Sequence, residues 1–145
     1  MWEGEREQRQ VLDNISLPTV PMDIYVIDGD NFTDFDSFTK EFTRVLCSQF
    51  GANWRGHLDA FNDFLYWPER PYVLVWKSVE RSRAALGHGE MVKWLEERIK
   101  NCHPTGVPHF QERLDAARAG QGPTMFDFLV EIIRDNEEFV ELRLE

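Results

Sequence analysis

The sequence predicts an α/β fold, a small three-stranded parallel sheet packed with helices. Two short apolar runs, Ile24–Ile27 and Tyr72–Trp76, are typical of strands buried on both faces, and Val140–Leu144 alternates apolar with charged residues. Segments with helical spacing lie between these runs, and strands separated by helices favour parallel pairing. At 145 residues, 42% of them hydrophobic, the chain can bury one core. We therefore predict a single domain over residues 23–145, preceded by an N-terminal extension over residues 1–22.

Two helices and a loop are predicted between the first two strands. Thr33 stands three residues before Asp36, which is the spacing of a capping box and predicts the start of a helix. Residues 50–57 contain two glycines and an asparagine, which indicates a loop. A second helix is predicted over residues 58–65, and two prolines follow it. The apolar positions of the two helices are Phe35, Phe38, Phe42, Val45 and Leu46, then Leu58, Phe61, Phe64 and Leu65.

The segment between the second and third strands is longer and also helical. Residues 78–85 predict a short helix or turn. Residues 86–123 contain two apolar patterns of helical period around a connection rich in Pro and Gly, which predicts a helical hairpin. Thr124 and Asp127 form another capping box ahead of the last predicted helix. The hairpin positions are Met91, Trp94, Leu95 and Ile99, then Phe110, Leu114 and Ala117.

The charge balance limits the kind of partner that this protein can have. The chain carries 26 acidic and 16 basic residues, a formal net charge of -10. Proteins that neutralise nucleic-acid phosphates are basic on the contacting surface, so this balance argues against direct nucleic-acid binding. The acidic excess lies in residues 23–63 and 124–145, which favours a basic protein as partner.

The sequence also predicts the compartment. No apolar run approaches the length of a membrane span, and the first residues lack the pattern of a secretion signal. Cys47 and Cys102 lie far apart in the sequence and are expected to be reduced thiols. We therefore expect a cytoplasmic protein that does not contact a membrane.

The second predicted helix has two faces of different character. Its core stripe is apolar, whereas Asp59, Asn62, Asp63 and Tyr66 fall at i, i+3, i+4 and i+7 on the other side. Asp59 and Asp63 repel each other, at a cost of roughly 0.2–0.5 kcal/mol for a like-charged i,i+4 pair. No Lys or Arg within residues 58–65 offsets this repulsion. An exposed face of this kind is typical either of a solvated surface or of a binding surface.

The loop and helix around this face resemble a known family. The segment Phe50–Trp54, followed by Leu58–Leu65, resembles the aromatic-Gly-x-Asn loop and the Leu-Asp-Ala-x-x-Asp helix of the barstar family of intracellular ribonuclease inhibitors. The strands and the last helix are similar in order as well. The resemblance covers residues 23–85 and 124–145, so that residues 86–123 would be an insertion.

The resemblance implies a protein inhibitor and not an enzyme. It implies that the second helix and the loop before it block the active site of a ribonuclease or another basic nuclease toxin, in a 1:1 complex. Asp59 and Asp63 would take the places of RNA phosphates, with Glu131 as a further acidic contact. Trp54, or else Phe50, would be the loop aromatic that packs on the enzyme. Asn62 and Tyr66 complete the expected contact set on the helix.

The sequence departs from the family at two places near this surface. Asn62 stands between the two aspartates, where the family commonly has tryptophan. The tripeptide over residues 55–57 appears as an insertion between the loop aromatic and the helix. Both departures bear on which nuclease the helix would fit.

Two other functional classes stay open at this point. A non-catalytic regulatory or scaffolding module could keep the fold and bind a non-nuclease protein through residues 86–123, notably through Trp94 and Phe110. A small hydrolase would need two carboxylates in different environments, which an exposed pair one helical turn apart does not offer. We therefore expect no enzymatic activity.

Metal and cofactor sites have no support in the sequence. The four histidines and Cys102 lack the paired spacing of a ligand set, and no P-loop, Rossmann or nucleophile-elbow motif is present. We expect neither a metal nor a cofactor. The histidines are His57, His88, His103 and His109.

Overall fold

Three parallel strands form one sheet in this protein, whose structure is a computed structural model that describes residues 22–48 and 51–145. Strand β1 (Asp23–Asp28) pairs with β2 (Tyr72–Lys77), and β2 pairs with β3 (Val140–Leu144). The order in the sheet is therefore β1-β2-β3, and the predicted three-stranded parallel sheet is confirmed. The predicted N-terminal extension lies outside the described residues except for Met22.

In the described part of the chain, this strand order leaves one face of the sheet without helices. Both crossover connections run in the same direction, and right-handed crossovers then place all of their helices on one face. Trp76 points to the face that the helices cover and is fully buried, whereas Ile24 on the opposite face is 60% exposed. The prediction that the first strand is buried on both faces is wrong. Strand β1 is an edge strand, and the described helices cover only the face opposite Ile24.

Six α-helices accompany the sheet in the described part of the chain. The first continues into a π-helical turn over Thr43–Cys47, and all of the predicted helices, including the hairpin, are present. None of the described helices is long and apolar enough to cross a membrane. The helices are α1 (Phe35–Phe42), α2 (Leu58–Phe64), α3 (Val79–Ala85), α4 (His88–Asn101), α5 (Val107–Arg118) and α6 (Met125–Arg134).

Helix α1 begins at a different cap from the one predicted. Asp34, and not Thr33, is the N-cap, and its carboxylate accepts a hydrogen bond from the backbone N of Ser37 at 2.8 Å. Hydrogen bonds from the Ser37 hydroxyl and backbone hold the pKa of Asp34 below its ordinary value. The second capping box is confirmed, because Thr124 and Asp127 bond reciprocally at the start of α6.

Aromatic rings fill the space between the sheet and the helices. Trp76 of β2 stacks on Phe38 of α1 with ring centroids 5.3 Å apart and meets Phe126 of α6 edge-on at 5.0 Å. The α4–α5 hairpin contributes Met91 and Leu114 to the same buried core. The hairpin is therefore part of the core, and removing residues 86–123 would expose apolar surface that belongs to the rest of the fold.

A buried carboxylate joins α1 to the end of β1. Glu41 Oε2 accepts hydrogen bonds from the backbone N of Asp28 at 3.0 Å and from Nδ2 of Asn31 at 3.1 Å. Arg44 donates to both carboxylate oxygens, at 3.0 and 3.1 Å. Glu41 therefore satisfies donors at the turn after β1 while its own charge is paired.

We expect Glu41→Ala to lower the free energy of unfolding by about 1–3 kcal/mol, because it leaves the partly buried backbone N–H of Asp28 and the amide of Asn31 without their acceptor. Asp36→Ala is the matched control on the same helix, since the Asp36 carboxylate contacts, among the described residues, only Lys40 in an exposed ion pair. That change should cost less than about 0.5 kcal/mol. Chemical denaturation measures both variants, and equal losses would contradict a structural role for Glu41.

Candidate protein-binding site

The buried side chain of Trp54 fixes the loop before α2. This side chain is 2% exposed and packs against Phe42 and Phe61, with ring centroids 5.2 and 4.9 Å away. Its indole Nε1 donates to the carbonyl of His57 at 2.9 Å, and its own carbonyl accepts from the Thr43 hydroxyl at 3.0 Å. The residue immediately before α2 is therefore held by a buried side chain.

The expectation that Trp54 packs on a partner is therefore wrong. The loop is rich in Gly and Asn, which suggests exposure, but the rings of α1 and α2 enclose the indole. The alternative loop aromatic, Phe50, lies outside the described residues.

Close packing also fixes the backbone at Gly56. Its φ of +91° lies in the left-handed region, and a Cβ there would come within 3.1 Å of Cγ2 of Thr39. A side chain at this position would therefore strain the loop and push it away from α1.

Helix α2 presents the predicted faces. Leu58 and Phe61 are buried, whereas Asp59, Asn62 and Asp63 are exposed. The Asp63 carboxylate has no hydrogen bond or ion pair with any of the described residues. It is thus available to a partner without breaking an internal contact.

Asn136, just after α6, binds two of the predicted contact residues. Its Nδ2 donates to Asn62 Oδ1 at 2.6 Å, and its Oδ1 accepts from the Tyr66 hydroxyl at 2.6 Å. The ring of Tyr66 also packs on Phe139, with centroids 4.5 Å apart. Asn62 and Tyr66 therefore join α2 to the end of α6, while both remain exposed on their outer sides.

Asp59 differs from Asp63 because it already has a cationic neighbour. Arg98 of α4 donates from Nη1 to Asp59 Oδ2 at 2.9 Å. The cation that α2 itself lacks is thus supplied from a helix 39 residues later in the chain. Sequence reasoning missed this pair, since nothing local to either residue indicates it.

Helix α4 lies across the starts of both α1 and α2. At one end, Glu90 accepts a hydrogen bond from the backbone N of Phe35 at 2.8 Å; at the other, Arg98 reaches Asp59. Two helical turns, about 12 Å, separate these two contacts. A groove of about 350 Å³ runs between α4 and the loop before α2, lined among others by Arg55.

The two aromatic residues of the hairpin are used inside the fold. Arg113 lies over the rings of Trp94 and Phe110 at 5.7 and 5.8 Å, and over Phe128 of α6 at 5.2 Å. Burial lowers the pKa of Arg113 from its ordinary value. Trp94 and Phe110 are therefore contacts within the hairpin and with α6, and both are partly buried.

Glu131 is exposed on α6, the helix that Asn136 connects to α2. Its carboxylate has no partner among the described residues.

Trp67 is a further candidate that the sequence analysis overlooked. It is 39% exposed, packs on Phe64 at 5.8 Å and lies in the turn after α2, four residues after Asp63 in the sequence. That spacing was the signal that could have identified it.

The histidine, cysteine and carboxylate side chains were predicted to hold no metal ion. Within residues 22–48 and 51–145, no three His, Cys, Asp or Glu side chains are arranged to hold a metal ion. Cys47 and Cys102 are both free thiols, and burial raises the pKa of Cys47 to about 11. The site thus presents an exposed acidic surface beside the exposed rings of Tyr66 and Trp67.

Comparison with known proteins gives a match at the level of a family. The family model for barstar (barnase inhibitor) matches residues 22–110. This range includes β1, β2 and α1 to α4 and ends inside α5, so that α6 and β3 lie beyond it. No curated protein and no solved structure matches the chain. The expectation that residues 86–123 are an insertion stays a prediction.

The burial of Trp54 predicts a large effect of its loss on stability. We expect Trp54→Ala to lower the free energy of unfolding by about 3–5 kcal/mol through loss of packing, and Trp54→Phe to cost less. Trp67→Ala should cost below about 1 kcal/mol, because Trp67 is partly exposed. Thermal and chemical unfolding measure these changes, and a Trp54→Ala protein as stable as Trp67→Ala would contradict the core role.

Proposed function

This chain belongs to the barstar family, and from that membership we propose that it inhibits a ribonuclease of the barnase type. The acidic face of α2 would enter the active site of the enzyme and block access of RNA. The observation that carries the proposal is this face. Asp59 and Asp63 are exposed there, on a helix whose preceding residue is held by the buried indole of Trp54.

The chemistry of a ribonuclease site explains why carboxylates would suit it. Such a site holds RNA phosphates with Arg, Lys and His side chains, and carboxylates accept the same charge-assisted hydrogen bonds without offering a bond to cleave. The net charge of -10 would also speed the approach of a basic enzyme and disfavour RNA itself as a ligand.

The geometry supports different roles for the individual side chains. Asp63 would provide the main carboxylate, since it has no described partner to release. Asp59 would contribute after exchange of its contact with Arg98. Glu131 of α6 would add a further acidic contact, and the exposed ring of Trp67 would provide the apolar contact first assigned to Trp54.

The proposed activity also suggests the stoichiometry of the complex, its biological role and its compartment. One acidic helix face fits one active site, which favours a 1:1 complex. An inhibitor of this kind would act as the immunity protein of a bacterial toxin–antitoxin pair, in the cytoplasm, where an active ribonuclease would damage the cell's own RNA. The target could also be another basic nuclease.

The alternative of a scaffolding module gains no support from the described contacts. Trp94 and Phe110, the residues considered for it, pack around Arg113 inside the fold.

The proposal predicts that the double variant Asp59→Ala/Asp63→Ala inhibits RNA cleavage by barnase far less than the parent does. Hydrogen bonds to charged groups contribute about 1.5–3 kcal/mol each, so the inhibition constant should rise roughly 100-fold or more. Titration of barnase activity on a fluorogenic RNA measures this.

The matched control removes two exposed acids elsewhere, Asp30→Ala/Glu80→Ala, which pair with Arg81 and Arg83. This variant has the same net charge as the test variant and should inhibit nearly as well as the parent. Equal inhibition by parent and test variant would refute the role of α2, and absence of inhibition by the parent would refute the barnase-type target.

A second prediction concerns the rigidity of the face. We expect Asn136→Ala to weaken inhibition about tenfold and to increase amide hydrogen exchange in α2, because Asn62 and Tyr66 lose their common partner. Asn101→Ala is the control, since among the described residues the Asn101 amide bonds only to Glu97, also in α4. Unchanged exchange in α2 would show that Asn136 does not hold this face.

A further inference from the structure

The pair between Asp59 and Arg98 is asymmetric. The Arg98 side chain is 36% exposed and its guanidinium lies over the ring of Phe110 at 5.4 Å, so it is held by the hairpin. The Asp59 side chain is 73% exposed and is free to turn outward. In a separation, Asp59 would therefore move and Arg98 would stay.

The ion pair between Arg98 and Asp59 also has fewer hydrogen bonds than an arginine–carboxylate pair can form. A single hydrogen bond joins Arg98 to Asp59, whereas a guanidinium can bind a carboxylate through two parallel bonds. The Nε of Arg98 is buried and has no hydrogen-bond partner among the described residues. Exposed ion pairs contribute only about 0.2–1 kcal/mol, so a better-placed cation can replace Arg98.

We propose that Arg98 determines the specificity of the α2 face by competing with the partner's cation for Asp59. This inference rests on the proposed function, because it concerns the same face. A partner gains the Asp59 contact only if its cation binds more strongly than Arg98 does. A partner without such a cation meets a neutral pair at this position and binds Asp63 without gaining the Asp59 contact.

The geometry indicates the chemistry of the favoured partner. An arginine that approaches from solvent can form the two-bond fork with Asp59, which Arg98 does not form. A lysine offers a point charge without the fork and would gain less over Arg98. The face therefore fits a partner that presents arginine opposite Asp59.

A double-mutant cycle tests the competition, with barnase as the probe at an ionic strength of about 0.15 M. Arg98→Met removes the charge and keeps an apolar stem over Phe110. We expect it to tighten inhibition about two- to fivefold, the factor that corresponds to an exposed ion pair. In the Asp59→Asn background the same change should have no effect beyond that of the charge control.

The charge control is Arg118→Met, which removes one cation from the same hairpin. Arg118 pairs with Glu96 at 2.8 Å, and its side chain is 53% exposed. Equal tightening by Arg118→Met and Arg98→Met would overturn the proposal, because net charge alone would then explain the effect. Thermal unfolding of Arg98→Met verifies that the fold is kept.

A second measurement observes the displacement itself. The side-chain ¹⁵N resonances of Arg98 should shift in the Asp59→Asn protein, and saturation of the parent with barnase should also release them from their paired position. If they stay at the paired position in the complex, or if Arg98→Met inhibits no better than the parent, the competition is refuted while the proposed function stands.

A different experimental result would refute the proposed function itself. If neither parent nor Arg98→Met inhibits barnase, the barnase-type target is refuted, and the inference falls with it.

Discussion

The burial of the Trp54 indole is the constraint on which the candidate face depends. The ring is enclosed by aromatic side chains of α1 and α2, and its N–H holds the carbonyl of the residue before α2. The direction of α2 is thus set by packing beneath the helix. Because this packing does not involve the carboxylates of Asp59 and Asp63, their charges can serve a partner, and a like-charged pair one turn apart is tolerated there.

The outer surface of α2 nevertheless receives support from two later helices. Asn136, after α6, binds Asn62 and Tyr66, and Arg98 of α4 reaches Asp59. Side chains that are already ordered lose less conformational entropy when a partner binds, which favours affinity. The same contacts introduce a competing cation at one position and none at Asp63. The face is therefore uneven in charge, although its sequence suggests two equivalent aspartates.

Much of this fold can be predicted from the sequence because its signals are local. Strands and helices depend on residues two to four positions apart, and the acidic stripe of α2 follows from the same spacing. The misses depend on distant neighbours. The apolar run of β1 suggests a buried strand, but the strand order exposes Ile24. Trp54 lies in a polar loop, but Phe42 and Phe61 enclose it. The partners Asp59 and Arg98 are 39 residues apart, and no local pattern connects them.

The parallel order of the strands also governs when the face is completed. Strand β2 lies about fifty residues after β1 and about seventy before β3, and Asn136 follows Asn62 by 74 residues. Long-range pairing of this kind slows folding, because loop closure precedes the contacts that reward it. A ribosome that adds about 5–20 residues per second needs roughly 4–15 s to pass from Asn62 to Asn136. For an inhibitor of the proposed kind, this delay favours a standing pool of finished molecules over synthesis on demand.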